Sequence, residues 1–366
     1  LSRKIFCFVT VALLLTATVF YSKNNPKPKN IILLIGDGMG LSQVSTSVLN
    51  SKNDQFKKFY SIGLVITCSA DNLITDSAAG ATAYATGYRT KNGKISVDSD
   101  GNVLETIVEF AQKKKMSTGI VVTCSVTNAT PAAFISHNGK RQEEFGIADQ
   151  IIKSGVDVLL GAGTDFFLSK EFNGKREDKK NLIDSMKAVG YEQINNPNQL
   201  MKKPPDKKFF GLFDGYALPH ATERDYTLGQ LTQKAIESLK KNKNGFFLMV
   251  EGSQIDWAAD ENDKNYLFGE IQDFNSAIEE ALKFAEKDKN TLVLVLADHD
   301  TGSLGISGRN KDTDELDVVW ATKKHTANLI GMFSFGPGSE NFSGIQDNFT
   351  IGRKLINNIV PSEIWK

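Results

Sequence analysis

The residues between Glu251 and Asp263 read EGSQIDWAADEND, five acids in thirteen positions. Two more carboxylates stand in unusual company: Asp37 inside GDGMG and Asp298 in ADHDTG, where His299 lies between two aspartates. Each group follows an apolar run, NIILLIG, GFFLMV or TLVLVLA. Such runs are strands of a buried sheet, and ligands in open α/β sheets sit at the carboxyl ends of the strands. Three strands therefore deliver Asp37, Glu251 with Asp256, and Asp298 with His299 to one edge. Carboxylates gathered there repel one another and resist ionisation unless a cation is present. The competing reading makes the acids a solvated helix face, and it suits Glu261 and Asp263 best.

The elements that must position these residues alternate along the chain. Strands are expected at 30–36, 61–68, 117–123, 156–162, 245–250, 291–297 and 329–335, and helices at 103–115, 141–153, 227–240 and 266–286. Near-continuous apolar strands separated by helical stretches predict an α/β fold, a mostly parallel central sheet with helices on both faces.

A nucleophile candidate lies in LITDSAAGATAYATG. Ser77 precedes an alanine- and glycine-rich helix, whose free N–H groups favour an anion such as phosphate. The plainer reading makes Ser77, or Asp76, an ordinary helix cap. Thr130 in NATPAAF reads, from the residues alone, as the cap of a helix with proline in its first turn. Arg141 and His325 complete the set of chemically equipped residues, whereas His137 and His220 read as structural or surface residues. The glycine turn at 36–40 has the spacing G-x-G-x-G, not the dinucleotide G-x-G-x-x-G, and Asp37 within it would oppose a pyrophosphate. No G-x-S-x-G elbow of the esterase type occurs.

The chain has 366 residues, 43 basic and 43 acidic, so its balanced charge does not suggest nucleic acid as a structural partner. Arg3 and Lys4 precede an apolar run from Ile5 to Phe20, the pattern of a signal peptide or N-terminal anchor over 1–22. A polar linker follows at 23–29, and a single catalytic domain is expected over 30–366. The protein is thus expected to be exported, periplasmic or secreted, with membrane contact only if the leader is retained. Cys68 and Cys124 end two strand-like runs; a disulfide is permitted in such a compartment, and buried free thiols are the simpler reading.

The motifs GDGMGLSQ, TDSAAGATA, NATPAAF, EGSQID, ADHDTG and KHTA, in this order over roughly residues 30–340, resemble those of the alkaline phosphatase family. The resemblance implies a three-layer sandwich, a homodimer, and hydrolysis of small phosphomonoesters with release of inorganic phosphate. It implies that Ser77 becomes phosphorylated and that Arg141, oriented by Asp76, grips the phosphate. It implies one Zn2+ on Asp37, Asp298 and His299, a second on Asp256, His325 and a third ligand, and Mg2+ on Asp37, Thr130 and Glu251. Mixed imidazole and carboxylate sets suit zinc, and all-oxygen sets suit magnesium.

Two positions depart from that pattern. Asp260 stands where the family has a zinc-binding histidine. It shares a helical face with Asp256, one turn away, so it either remains a ligand or turns to solvent. As a ligand it makes the site harder, favouring Mg2+, Mn2+ or Co2+ or weakening the hold on Zn2+. Asn128 replaces an aspartate or histidine beside the magnesium set. Alternative activities are phosphodiester hydrolysis and non-catalytic binding of phosphate or metal. Ser77 lacks the C/S-x-P-x-R surroundings of a sulfatase.

Overall fold

The computed structural model describes residues 27–361 and residue 363. The leader at 1–22, with Cys7, and linker residues 23–26 lie outside the described residues. Eight strands come first in the chain: β1 (Asn30–Gly36), β2 (Ser61–Ile66), β3 (Ser117–Ser125), β4 (Val158–Ala162), β5 (Glu192–Gln193), β6 (Phe209–Leu212), β7 (Phe246–Gly252) and β8 (Thr291–Leu296). Then follow β9 (Asp300–Thr301), β10 (Leu304–Arg309), β11 (Leu316–Trp320), β12 (His325–Thr326), β13 (Ile330–Phe335) and β14 (Gly344–Asp347). Ten of them form one sheet in the order β14-β2-β13-β8-β1-β7-β3-β4-β6-β5. Only β13 runs antiparallel to its neighbours within this sheet. The remaining four pair as two small ribbons, β10 with β11 and β9 with β12.

The strands at the centre are apolar throughout because both of their faces are covered. Every residue of β1, β7 and β8 is buried. Helices α1 (Leu41–Asn50), α2 (Ser77–Thr86), α3 (Ile107–Lys113), α4 (Ala129–Ile135), α5 (Glu144–Ile151), α6 (Leu228–Leu239), α7 (Gln254–Glu261), α8 (Lys264–Asp288) and α9 (Asn348–Ile359) surround the sheet. One layer contains α6 and α8, joined by α1; the other contains α2, α3, α4 and α9. Neighbouring residues of β7 show the two faces directly. Phe246 packs on Phe284 of α8, and Phe247 stacks on Phe134 of α4, as the alternation of side chains along a strand requires. Each fully buried phenylalanine contributes about 1.5–3 kcal/mol.

All seven expected strands are present, with shifts of one or two residues at their ends. Two expected helices start later than the periodicity suggests. The helix expected from 103 begins at Ile107, because Thr106 and Glu109 form a reciprocal capping box. The helix expected from 141 begins at Glu144, which leaves Arg141 on the preceding turn. Cys68 and Cys124 are both free thiols, Cys124 buried and Cys68 half-buried.

Helix α2 is built almost entirely of small residues, and all ten are buried. It packs closely on α9: a Cβ at Gly352 would lie 2.2 Å from the Ala83 carbonyl oxygen and 2.8 Å from that of Tyr84. The Gly352→Ala substitution must therefore push α9 off the helix that carries Ser77. The expected loss is about 1–3 kcal/mol of stability, read by urea or thermal unfolding. Gly139→Ala, where an added Cβ meets nothing within 4 Å, should leave stability unchanged.

Candidate metal centre

Strands β8, β1, β7 and β3 are adjacent, so the residues at their carboxyl ends converge. The Asp37 N–H donates to the Gly252 carbonyl (3.3 Å), and the Gly38 N–H donates to Asp298 Oδ1 (3.1 Å), which ties the end of β1 to both neighbours. Gly38 has φ +67°, and a Cβ there would lie 2.6 Å from Asp256 Oδ1 and 2.7 Å from Thr301 Oγ1. Conformation and space both require glycine at this position.

Two clusters form, each with one potential ligand atom per residue and all such atoms within 4.8 Å: Asp37, Asp298 and His299; and Asp256, His299 and His325. His299 Nε2 lies 3.3 Å from Asp37 Oδ1 and 3.3 Å from Asp298 Oδ2. His325 Nε2 lies 3.6 Å from Asp256 Oδ1. The two imidazole rings stack with centroids 3.6 Å apart. Pairing of β9 with β12 sets Thr301 opposite His325 and so holds the histidines side by side.

The oxygens at the centre are short of partners. Asp37 Oδ1, Asp298 Oδ2, Glu251 Oε1 and Thr130 Oγ1 are all buried without a hydrogen bond. Cys124 Sγ lies 3.6 Å from the other Glu251 oxygen, Oε2. Buried polar atoms without partners are rare in folded proteins and call for an ion or water. Asp37 Oδ1 and Asp298 Oδ2 converge on His299 Nε2, which is the arrangement a cation satisfies.

Protonation follows from the same crowding. Burial, then the charges of Asp298, Asp256 and Glu251, push the Asp37 carboxyl well up. Burial raises Asp298 and carries Glu251 to about 8. Burial, reinforced by His325, lowers His299 to about 3. His299 is thus a neutral imidazole, the form that binds metals.

Ser77 sits at the first position of α2, buried, with Oγ 3.3 Å from His299 Nε2. The helix cap is Asp76: its Oδ1 accepts from the Ala79 N–H at 3.0 Å, so the Ser77 hydroxyl has no capping duty. Asp76 Oδ2 accepts from the Gly93 N–H (2.9 Å) and from Arg141 (3.2 Å). One carboxylate therefore fixes the start of α2 and the guanidinium together. Thr130 is not a cap either. That role belongs to Asn128, whose Oδ1 accepts from the Ala129 N–H at 2.7 Å.

The structure brings Asp37, Asp298, His299, Asp256, His325 and Ser77 into direct neighbourhood. Asp260, which the sequence leaves open between ligand and solvent-facing residue, is in neither tight cluster. It lies one turn along α7 on the face of Asp256, half-buried, and lines a cleft shared with His325 and Asp76. Burial and then Asp256 raise its carboxyl to about 6. His299 completes the Asp256–His325 cluster in its place. A residue that sequence reasoning missed is Thr301, whose hydroxyl donates to Asp256 Oδ1 (2.5 Å) and lies 3.1 Å from His299 Nδ1. Its signal was present, since alternate residues of an extended segment share a side and Thr301 is two places after His299.

The model of the alkaline phosphatase family matches residues 28–315. The chain belongs to the alkaline phosphatase family. It is 40% identical to alkaline phosphatase 3 of Bacillus subtilis, over 91% of this chain and 89% of that protein. It is similar in structure to the alkaline phosphatase of the Antarctic bacterium TAB5, with a TM-score of 0.86, 37% identity, and coverage of 93% of this chain and 99% of the other. A variant of the TAB5 enzyme, described with Mg bound in the M3 site, aligns with a TM-score of 0.84 and 36% identity over 94% of this chain and all of the other. The chain is a hydrolase, and its site is built for metal-dependent phosphoester hydrolysis.

The electrostatics give a pH prediction for the metal-free chain. Above about 6.5 His299 is neutral in folded and unfolded chains alike, whereas Glu251 keeps its proton in the fold up to about 8. The unfolded chain has already lost that proton, so the folded state binds more protons and stability falls as pH rises through this window. A bound divalent cation supplies the missing charge. The melting-temperature gap between metal-loaded and chelator-treated protein should therefore widen from pH 6.5 to 8. A gap that stays constant would contradict the assignment of these carboxylates to metal.

Proposed function

We propose that this chain hydrolyses phosphate monoesters through a phosphoserine on Ser77. The observation that carries the reading is the Ser77 hydroxyl at the start of α2, 3.3 Å from the His299 imidazole that belongs to both clusters of ligand atoms. Asp37, Asp298 and His299 would hold one zinc ion; Asp256 and His325, with His299 or Asp260 nearby, a second; Asp37, Thr130 and Glu251 a magnesium ion. When bound, these ions would supply Lewis-acid stabilisation of the attacking and leaving oxygens and lower the pKa of a hydroxyl or water. The donor chemistry fits, being imidazole plus carboxylate for zinc and oxygen alone for magnesium. Magnesium in the TAB5 variant supports a third site of this type.

The protein's own groups do the rest. Ser77 is presented by a rigid helix whose N-terminal dipole favours the dianion. Arg141, braced by Asp76, offers further guanidinium donors to phosphate oxygens, a bidentate geometry that favours a monoester over a diester. Phosphoryl transfer needs positioning and charge stabilisation above all, and both are supplied by side chains that cannot move far. The basic start and apolar run at 3–20 support an exported enzyme, and family membership supports a homodimer.

Turnover of 4-nitrophenyl phosphate from pH 7 to 11 with Zn2+, Mg2+, Mn2+ or Co2+ tests the reading. Ser77→Ala should abolish turnover and also the covalent label left by radioactive phosphate after acid quenching; retained labelling would overturn the nucleophile assignment. Arg141→Ala should raise KM and weaken inhibition by inorganic phosphate by about ten- to a hundredfold. Replacing Asp260 with histidine, Asp260→His, should increase the zinc retained after dialysis. If the native chain already holds two zinc ions through dialysis, Asp260 does not weaken that site.

A further inference from the structure

A cleft of 470 Å³ opens beside the reaction site. Asp76 and His325 share its lining with Lys323, Lys324, Asp260 and Asn72. Both lysines are exposed, and neither side chain has a hydrogen bond or ion pair among the described residues. Their backbone is nonetheless anchored: the Gly302 N–H donates to the Lys324 carbonyl at 3.0 Å, and β12, which begins with His325, pairs with β9. His325 Nδ1 lies 3.1 Å from the Thr75 carbonyl. The backbone that carries the two lysines is therefore fixed beside this cleft.

The charges in the cleft are unbalanced. Asp76 is engaged by Arg141, which leaves two lysines against the single carboxylate of Asp260. An ammonium on a flexible stem is a mobile point charge, suited to an anion whose distance from the reacting phosphorus varies. We propose that this cleft receives the leaving group, and that Lys323 and Lys324 select substrates whose leaving group is, or carries, a second phosphate. The inference rests on the phosphomonoesterase reading and names its substrate class. The reaction is unchanged: the P–O bond to the leaving group breaks, and water provides the oxygen that joins phosphate and the proton that joins the leaving oxygen.

The test compares one-phosphate and two-phosphate substrates in the metal-loaded enzyme. Lys323→Ala with Lys324→Ala should lower kcat/KM for pyrophosphate and for fructose 1,6-bisphosphate by about tenfold, the sum of two exposed charge contacts. For 4-nitrophenyl phosphate it should stay within about twofold. The selectivity should also shrink from about 0.05 to 0.5 M salt, as screening shortens below about 10 Å. A fall on both two-phosphate substrates would bear the proposal out, and a fall on only one of them would overturn it. Equal losses on all three substrates, or none on the two-phosphate ones, would overturn the proposal. Calorimetry with Ser77→Ala separates this from the functional reading, because it needs no turnover. Pyrophosphate should bind more tightly than inorganic phosphate, and the lysine substitutions should remove the difference; equal affinities would overturn the proposal even in an active enzyme.

Discussion

Three neighbouring strands deliver carboxylates to one buried edge, and none of the three has both of its oxygens satisfied. Asp298 after β8, Asp37 after β1 and Glu251 in β7 are buried side by side, and each keeps an oxygen without a hydrogen bond. Like charges so placed cannot all ionise in a protein interior, and their pKa values rise accordingly. The fold tolerates this because the strands are locked by parallel pairing and by helix layers on both faces. Removing one carboxylate would relieve repulsion, yet it would also remove a donor from a set that is complete only together. The cost in stability and the capacity to hold cations are one property.

Everything else near the site keeps that set in register. The tight turn at Gly38 lets Asp256 and Thr301 approach the end of β1. The β9–β12 ribbon sets His325 against His299, and Thr301 links His299 to Asp256. On the opposite side, Asp76 fixes α2 and Arg141 at once, so the nucleophile and the phosphate clamp share one support. The small residues of α2 allow that helix to be buried completely while presenting Ser77 at its first turn.

Much of this was legible in the sequence because buried parallel strands are nearly all apolar and stop abruptly at a functional residue. The runs ending at Asp37, Glu251 and Asp298 could be read directly. Elements at the rim were not legible. β6 is four residues beside a lysine pair, β14 is the half-polar GIQD, and the β9–β12 ribbon has two residues per strand. None has enough length for a periodicity to show. Spacing along α7 correctly put Asp260 on the face of Asp256. It could not show that His299 would reach across to His325, because that proximity depends on the unseen ribbon. The same limit applied to Ser77 and Thr130: whether a hydroxyl caps its helix depends on the neighbouring Asp76 or Asn128, which sequence left open.

If the unpaired oxygens at the strand ends are metal ligands, ions must lie between them in the loaded protein. Anomalous diffraction from crystals grown with Zn2+ and Mg2+, collected on both sides of the zinc edge, tests it most directly. Zinc peaks are expected among Asp37, Asp298 and His299 and beside Asp256 and His325, with a non-anomalous, water-bearing density between Thr130 and Glu251. Crystals in which those carboxylates are instead satisfied by water or by a lysine or arginine, with no anomalous peak at the strand ends, would contradict it.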